Sequence, residues 1–433
     1  MVIPQSFINI GVWNIHGLFQ SINKLKLCKL EDEEIQKRVQ DFDIFCFQET
    51  QCGTNDIKQS WMPDYRIFPF ERNISANNRY FGGSLILIKK KIKEGVKIIE
   101  NSNSDKIWIK ILKNFFNLKK DIYFCFSYAP PLNSPYTKNL DFDVLQNLEV
   151  DIGRFKQEGN VLVGGDFNAK TSTALDFVLD QDDKHSPIMD IPNYVSDDPL
   201  RRENCDKHSV DKQGETLLNL CKNSRMRILN GRTKGDRYGR YTRFPLAIRE
   251  SPSTLDYAIA DIEIMNEVAS FLVLSNLGLS DHECLSVSIK SQGFFPPVVT
   301  PILVSKKTPF RKIDTNKFLL KLNSPLGREK CANFLTKHKN SDELDDMTED
   351  LVDLINFASV NHVHNRKNKK RNRGDRKNPW YTIECRKLKG CLNRAVKRYR
   401  VDPLNRGLQE EVFSAKKNFK KICRDSENKL RKN

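Results

Sequence analysis

Along the first 290 residues the hydrophobic positions fall into short blocks, separated by glycine, asparagine, proline and charged residues. That is the pattern of strands and turns. Blocks at 7–13 (FINIGVW), 43–49 (DIFCFQE), 65–70, 82–88 (GGSLILI), 105–112 (DKIWIKIL), 121–129 (DIYFCFSYA) and 160–166 (NVLVGGD) predict strands. So do RILNG at 227–231, STLDYAIA at 253–260, ASFLVL at 269–274 and ECLSVSI at 283–289. Helical spacing shows in three stretches: 31–42, with Ile35 and Val39 on one face and acids in the first turn, 141–157, and 214–226. Strands outnumber helices, and hairpin-like neighbours mix with strand–helix–strand units. This predicts two packed sheets with helices outside them.

Near residue 290 the pattern changes. QGFFPPVVTP reads as a linker, and 291–345 is expected to be loosely structured. Three helical stretches follow, at 347–360, 378–400 and 406–430. The expected organisation is a folded domain at 1–290, a linker at 291–345 and a basic helical tail at 346–433. HNRKNKKRNRGDRKN, 364–378, is too charged and too poor in apolar residues to pack.

Charge sharpens this division. The net charge is +17, yet residues 361–433 hold 24 lysines and arginines against 7 acids, and the rest of the chain holds 48 of each sign. A neutral body with a basic tail predicts a polyanionic partner, most often nucleic acid. The eleven cysteines include no C-x-x-C pair, and the N-terminus lacks the features of a signal peptide, so the protein is expected inside the cell with reduced thiols. No apolar run approaches the ~20 residues that span a bilayer, so no membrane partner is expected.

The strand ends carry the candidate chemistry. The first predicted strand ends on Asn14, the second on Glu49, the one at 121 near Tyr128, and NVLVGGDFN on Asp166 and Asn168. Asp256 lies inside STLDYAI, and Asp281 with His282 stands just before ECLSVSI. Each has an ordinary reading: a solvated loop acid, a core-edge tyrosine, a turn-capping aspartate. Six such edges in one chain imply a shared pocket if they lie on one face.

WN, QE, Y-x-P, GDFN, DY and SDH, in this order over about 290 residues, resemble the endonuclease/exonuclease/phosphatase (DNase I-like) superfamily. The resemblance implies a four-layer α/β/β/α sandwich and a metal-dependent phosphodiester hydrolase. It supports Glu49 as a ligand for Mg²⁺ (Mn²⁺ as the substitute), with Asn14 and Asp281 completing or flanking the metal. Asp166 would orient or deprotonate the attacking water, and Asn168, if the strand stays extended, would hold water or phosphate oxygen beside it. His282 would donate to a phosphate oxygen, with Asp256 fixing its tautomer, and Tyr128 would contact phosphate or leaving group. Gly164 and Gly165 would admit close neighbours beside Asp166. The sequence departs from repair-type apurinic endonucleases at His16, where those carry an acid. A hydrogen-bonded histidine at a strand end is the simpler reading there.

RILNGRTKGDRYGRYTRF, 227–244, resembles retrotransposon endonuclease domains. Arg232, Lys234, Arg237, Arg240 and Arg243 alternate with aromatic residues including Tyr241, a mixture suited to phosphate contact and base stacking. The tail with P-W-x-x-x-C resembles the segment before the reverse transcriptase of non-LTR elements, and no Y/F-A-D-D polymerase motif is present. The expectation is a DNA-nicking endonuclease derived from such an element, its polymerase absent, with DNA as partner and the nucleus as location. Two alternatives stay open: a same-fold phosphoesterase on RNA or inositol lipid, and an inactive nucleic-acid-binding remnant. RKNKKRNR, 366–373, is a candidate nuclear-localisation or nucleic-acid patch. Cys385, Cys391, Cys423, His362 and His364 have no recognisable zinc spacing.

Overall fold

The computed structural model describes residues 6–22, 25–72, 80–132, 134–139, 143–178, 201–245, 250–293, 315–338, 344–359 and 381–432. In chain order the strands are β1 (Ser6–Asn14), β2 (Phe19–Ile22), β3 (Leu25–Cys28), β4 (Ile44–Gln48), β5 (Tyr65–Phe70), β6 (Ser84–Lys89), β7 (Val96–Ile98) and β8 (Lys106–Ile111). They continue with β9 (Ile122–Tyr128), β10 (Asn160–Asp166), β11 (Met226–Ile228), β12 (Asp256–Asp261), β13 (Val268–Leu274) and β14 (Cys284–Ser291). The helices are α1 (Glu33–Gln40), α2 (Lys113–Phe116), α3 (Val144–Phe155), α4 (Lys212–Asn223), α5 (Thr315–Leu322), α6 (Pro325–Lys337), α7 (Leu344–Ser359), α8 (Ile383–Val401) and α9 (Arg406–Lys432).

Two six-stranded mixed sheets form the centre, in orders β13-β14-β1-β4-β6-β5 and β11-β12-β10-β9-β8-β7. Their facing surfaces share one core. Ile8, Ile10, Val12, Ile44, Ile86 and Ile88 from the first sheet pack with Ile107, Ile109, Phe124, Phe126, Leu162 and Ala258 from the second. The alternate residues of the central strands are also apolar, because each sheet is covered on its outer face as well. Tyr123, Cys125, Val161 and Val163 meet Leu148, Ile152, Leu217 and Cys221 of α3 and α4, while Phe45 and Phe47 meet Ile35 and Val39 of α1. The result is the DNase I-like four-layer sandwich expected. Each covering helix starts at an aspartate whose side chain accepts from the first turn: Asp32, Asp143 and Asp211.

Two expectations change. The stretch 291–345 is not loose throughout its described residues, since it carries α5 and α6, and α6 starts at Ser324 with Pro325 in its first turn. Residues 298–378, with α5–α7, form a compact unit of their own, whereas residues 379–433 group with residues 1–297. The basic tail is therefore not one element: α8 and α9 belong to the unit that contains the sandwich. The 366–373 patch, His362 and His364 lie outside the described residues. Cys385 and Cys423 are buried, whereas Cys391 is exposed. Among the described residues no helix is long and apolar enough to cross a membrane.

Candidate active site

Register brings the polar strand ends together. In the second sheet β9, β10 and β12 are adjacent, so Asp166 lies directly between Tyr128 and Asp256. In the first sheet β1 and β4 are parallel neighbours and Asn14 pairs with Gln48. Side chains then stitch the two sheets at this end. Asn14 Nδ2 donates to Asp166 Oδ2 at 2.9 Å, Gln48 Nε2 donates to the Ser127 carbonyl at 2.8 Å, and the Asp166 amide donates to Gln48 Oε1 at 3.1 Å. Tyr128 donates its hydroxyl to Glu49 Oε1 at 2.5 Å.

Gly165 is what permits this approach. A Cβ there would stand 1.9 Å from the Ser127 carbonyl oxygen and 2.8 Å from Gln48 Nε2. Gly164 faces Phe124 and Val12 within the core between the sheets.

Three of these strands end in left-handed backbone: His16 (φ 49°), Glu49 (φ 51°) and Asn168 (φ 46°). Asparagine visits this region readily, but for Glu and His it is uncommon, and such conformations gather at functional sites. Asn168 therefore does not continue an extended strand, the condition on which its expected place beside Asp166 depended. It turns back instead, donating its backbone N–H to Asp166 Oδ1 (2.9 Å) and its side-chain amide to the Ala129 carbonyl (3.0 Å).

His282 and Asp256 form a buried pair, with Nδ1 2.9 Å from Asp256 Oδ2. Both ends of the pair are fixed. Trp13 Nε1 donates to the His282 carbonyl (2.9 Å), and the Ser280 hydroxyl accepts from the His282 amide (3.1 Å) while donating to the Asn14 carbonyl (2.7 Å). Thr242 Oγ1 accepts from the amides of Leu255 and Asp256 at 3.0 and 2.9 Å. Burial disfavours the imidazolium, but Asp256 and Asp166 outweigh it and carry the His282 pKa up to about 10. Burial, then Asp256 and Glu49, push the Asp166 carboxyl above the usual range, with His282 opposing. Burial, then Glu49 and Asp166, push the Tyr128 hydroxyl up, so it is a donor at neutral pH.

Glu49 and Asp281 both face His16 Nδ1, at 4.0 and 3.6 Å. The His16 side chain is 65% exposed and the two carboxylates are largely covered. His16 is thus a strand-end histidine between two acids, rather than one held by a single hydrogen bond. Burial opposes ionisation of Asp281, yet His282, His16 and Arg243 hold its carboxyl below the usual range. Asp166, Asp256 and His282 each also offer a ligand atom, all within 4.8 Å of one another, and this buried group could hold a metal ion. Its imidazole Nδ1 is already engaged by Asp256.

The basic segment divides. Lys234, Arg237 and Arg240 are exposed, and Arg243 is half-buried, paired with Asp281 (3.1 Å) and Glu250 (3.0 Å). Arg232 is a correction: its guanidinium is buried against Asp176 at 2.6 Å, where no phosphate can reach it. Tyr241 is half-buried and packs edge-on against Phe244, which is covered by α8 and α9, so it is not a free stacking platform. Four more residues hold the site without having been assigned a role from sequence: Gln48 and Ser280, which stand inside the QE and SDH motifs, Thr242, and Arg72, which lies 5.4 Å over the Tyr128 ring. Gln48 had a visible signal, an amide closing an otherwise apolar block. The other three are fixed by partners far along the chain.

A model of the endonuclease/exonuclease/phosphatase family matches residues 11–282. The chain belongs to this family. The match takes in Asn14, Glu49, Tyr128, Asp166, Asn168, Asp256, Asp281 and His282, and the family places a hydrolase fold around the buried Asp166/Asp256/His282 group. Solved structures resemble the chain at a distance. NExo, a 3′ phosphatase from Neisseria solved bound to a product DNA hairpin, is 13% identical over 65% of this chain and 99% of its own, with a TM-score of 0.41. The AP endonuclease LMAP from Leishmania major is 11% identical over 67% and 88%, TM-score 0.45. The endonuclease domain of TRAS1, a telomere-specific non-LTR retrotransposon, is 14% identical over 66% and 100%, TM-score 0.38. A search of curated proteins finds no match.

Proposed function

We propose that the protein is a Mg²⁺-dependent phosphodiesterase that nicks DNA in the nucleus, and that it derives from a non-LTR retrotransposon. One observation carries the catalytic part: Asp166 sits between Tyr128 and Asp256 in one sheet and is bonded by Asn14 from the other, beside the Glu49 and Asp281 carboxylates. The resemblance of 227–244 and of the tail to non-LTR elements supports the origin, and the exposed Lys234, Arg237 and Arg240 support a nucleic-acid substrate.

Glu49 and Asp281, two carboxylates facing the His16 ring, and Asn14 Oδ1, which accepts from the His16 amide at 3.1 Å, supply an oxygen-rich set that suits a hard cation. Bound there, Mg²⁺ (or Mn²⁺) would neutralise charge on the phosphate. The chain's own groups do the rest. Asp166 holds the attacking water and takes its proton, its oxygens oriented by Asn14 and the Asn168 amide. Asp256 accepts from His282 Nδ1–H and favours the imidazolium, whose second N–H, at Nε2, donates to a phosphate oxygen as charge develops. Tyr128 orients Glu49 through its hydroxyl. Asn168 steadies Asp166 from the turn.

Nicking of supercoiled plasmid with Mg²⁺ tests this. The wild type is expected to nick, EDTA to abolish nicking, and Glu49→Ala and Asp166→Asn each to lower the rate by roughly 10³-fold or more. A wild type that binds DNA but leaves it intact while hydrolysing RNA or an inositol phosphoester would replace the DNA assignment. Inactivity on all three would leave a binding remnant.

A further inference from the structure

The α8–α9 hairpin docks on the part of the sandwich that carries Asp281 and His282. Two contacts go to the loop before them and a third to the end of β13. Lys389 donates to the Leu277 carbonyl at 3.1 Å, Leu392 packs against Gly278, and Arg400 donates to the Val273 carbonyl at 3.3 Å. The next contact reaches the residue after His282. Glu283 is fully buried, and Arg400 Nη2 stands 3.0 Å from its Oε2; burial pushes the Glu283 carboxyl up, and Arg400 is the largest influence opposing that.

The other side of the same loop is held by the segment before β12. The Phe244 amide donates to the Asp281 carbonyl (2.7 Å) and the Glu283 amide to the Thr242 carbonyl (2.7 Å). That segment also rests on the hairpin. Phe244 is enclosed by Leu392, Val396, Tyr399 and Val412, and Gln409 Nε2 donates to the Pro245 carbonyl at 3.2 Å. Thr242, in turn, accepts from the Asp256 amide. Both halves of the His282–Asp256 pair therefore trace back to α8 and α9, through different routes. Arg38 of α1 ties the loop from a third direction, donating to the Ser275 carbonyl at 2.9 Å.

A buried carboxylate keeps its place only while its countercharge keeps its own. We infer that the α8–α9 hairpin is a working part of the catalytic unit, and that Arg400 is a positioning residue that, through Glu283, holds Asp281 and His282 in place. The inference rests on the hydrolytic reading of the site. It makes the catalytic unit discontinuous in sequence, the sandwich joined by residues some ninety positions beyond its last strand.

The test uses the full chain and three variants: Arg400→Met, Arg400→Lys and Glu283→Gln/Arg400→Met. Amide hydrogen exchange over 275–284 is measured beside kcat and KM for a short duplex with Mg²⁺. Arg400→Met should speed exchange in that loop about tenfold or more and lower kcat about tenfold or more, with KM unchanged within about twofold. Arg400→Lys should recover part of both, and the double variant, which removes the orphaned charge, should recover most of the loop protection. Unchanged exchange in the loop would overturn the inference. So would a raised KM at constant kcat, which would make Arg400 a phosphate contact, or normal kcat per folded molecule with only a lower melting temperature. If the wild type cleaves no phosphodiester, the functional reading falls, and the exchange data still decide whether Arg400 holds the loop.

Discussion

Arg232→Met separates a structural arginine from a DNA-binding one. The Arg232 and Asp176 side chains are 1% and 0% exposed and meet at 2.6 Å, and Asp176 Oδ2 also accepts from the Ile228 amide at 2.7 Å. Removing one member of such a pair leaves a buried charge without its partner, which costs about 3–5 kcal/mol. At about 2–4 °C per kcal/mol for a domain of this size class, the melting temperature should fall by roughly 10 °C. Asp176→Asn/Arg232→Met should recover most of that loss, because the asparagine oxygen still accepts from Ile228 and no bare charge remains. The assay is thermal unfolding of the three variants, together with DNA affinity across a salt series on the folded protein. The slope of log affinity against log salt should not change. An unchanged melting temperature with a slope reduced by about 0.9, the signature of one lost phosphate contact, would refute the burial argument and return Arg232 to the nucleic-acid surface.

Three further perturbations probe the site and its approach. Asp256→Asn removes the strongest influence that raises the His282 pKa against burial. Because the pKa is raised, the imidazolium persists in the fold above its ordinary value; the stability it lends is full below that value and is lost as pH climbs through about 10. The alkaline limb of kcat/KM should therefore move to lower pH in the variant, with a rate loss of roughly 10²–10⁴-fold, and a limb that stays in place would show that His282 is not the donor. Gln48→Leu removes the two hydrogen bonds that tie the sheets at the Asp166 amide and the Ser127 carbonyl, each worth about 1 kcal/mol net, so both melting temperature and nicking rate should drop; a variant with neither loss would mean the sheets do not need this tie. Replacing the exposed Lys234, Arg237 and Arg240 together by Gln should flatten the salt slope of DNA affinity by about 0.9 per contact made, with no change in melting temperature, and an unaltered slope would remove the segment from the DNA-binding surface.

What could be read from sequence was what depends on neighbours in the chain. β9 and β10 were legible because strands covered on both faces are apolar at nearly every position, and α3 because Leu145, Leu148 and Ile152 repeat at helical spacing after a capping Asp143. The β2–β3 hairpin escaped because FQSI and LKLC are short and half polar, and α6 because its apolar residues form no continuous stripe. The candidate site residues were legible for a similar reason: a carboxylate, amide or imidazole at the end of an apolar block stands out, whatever it later meets. Partners that meet only in the fold left no such mark. Arg232 looks like its exposed neighbours until Asp176 arrives from 56 positions away. Asn168 looks extended until its backbone turns left-handed. Arg400 looks like one more cation in a basic tail, yet it faces a carboxylate beside His282. The distinction is physical rather than statistical: hydrophobic periodicity and strand-end polarity are properties of a segment, whereas the state of a charge is a property of whatever encloses it. In this chain the same residue type, arginine, is a buried strut at 232, an exposed cation at 237 and the neighbour of a buried glutamate at 400, and only the enclosure tells them apart.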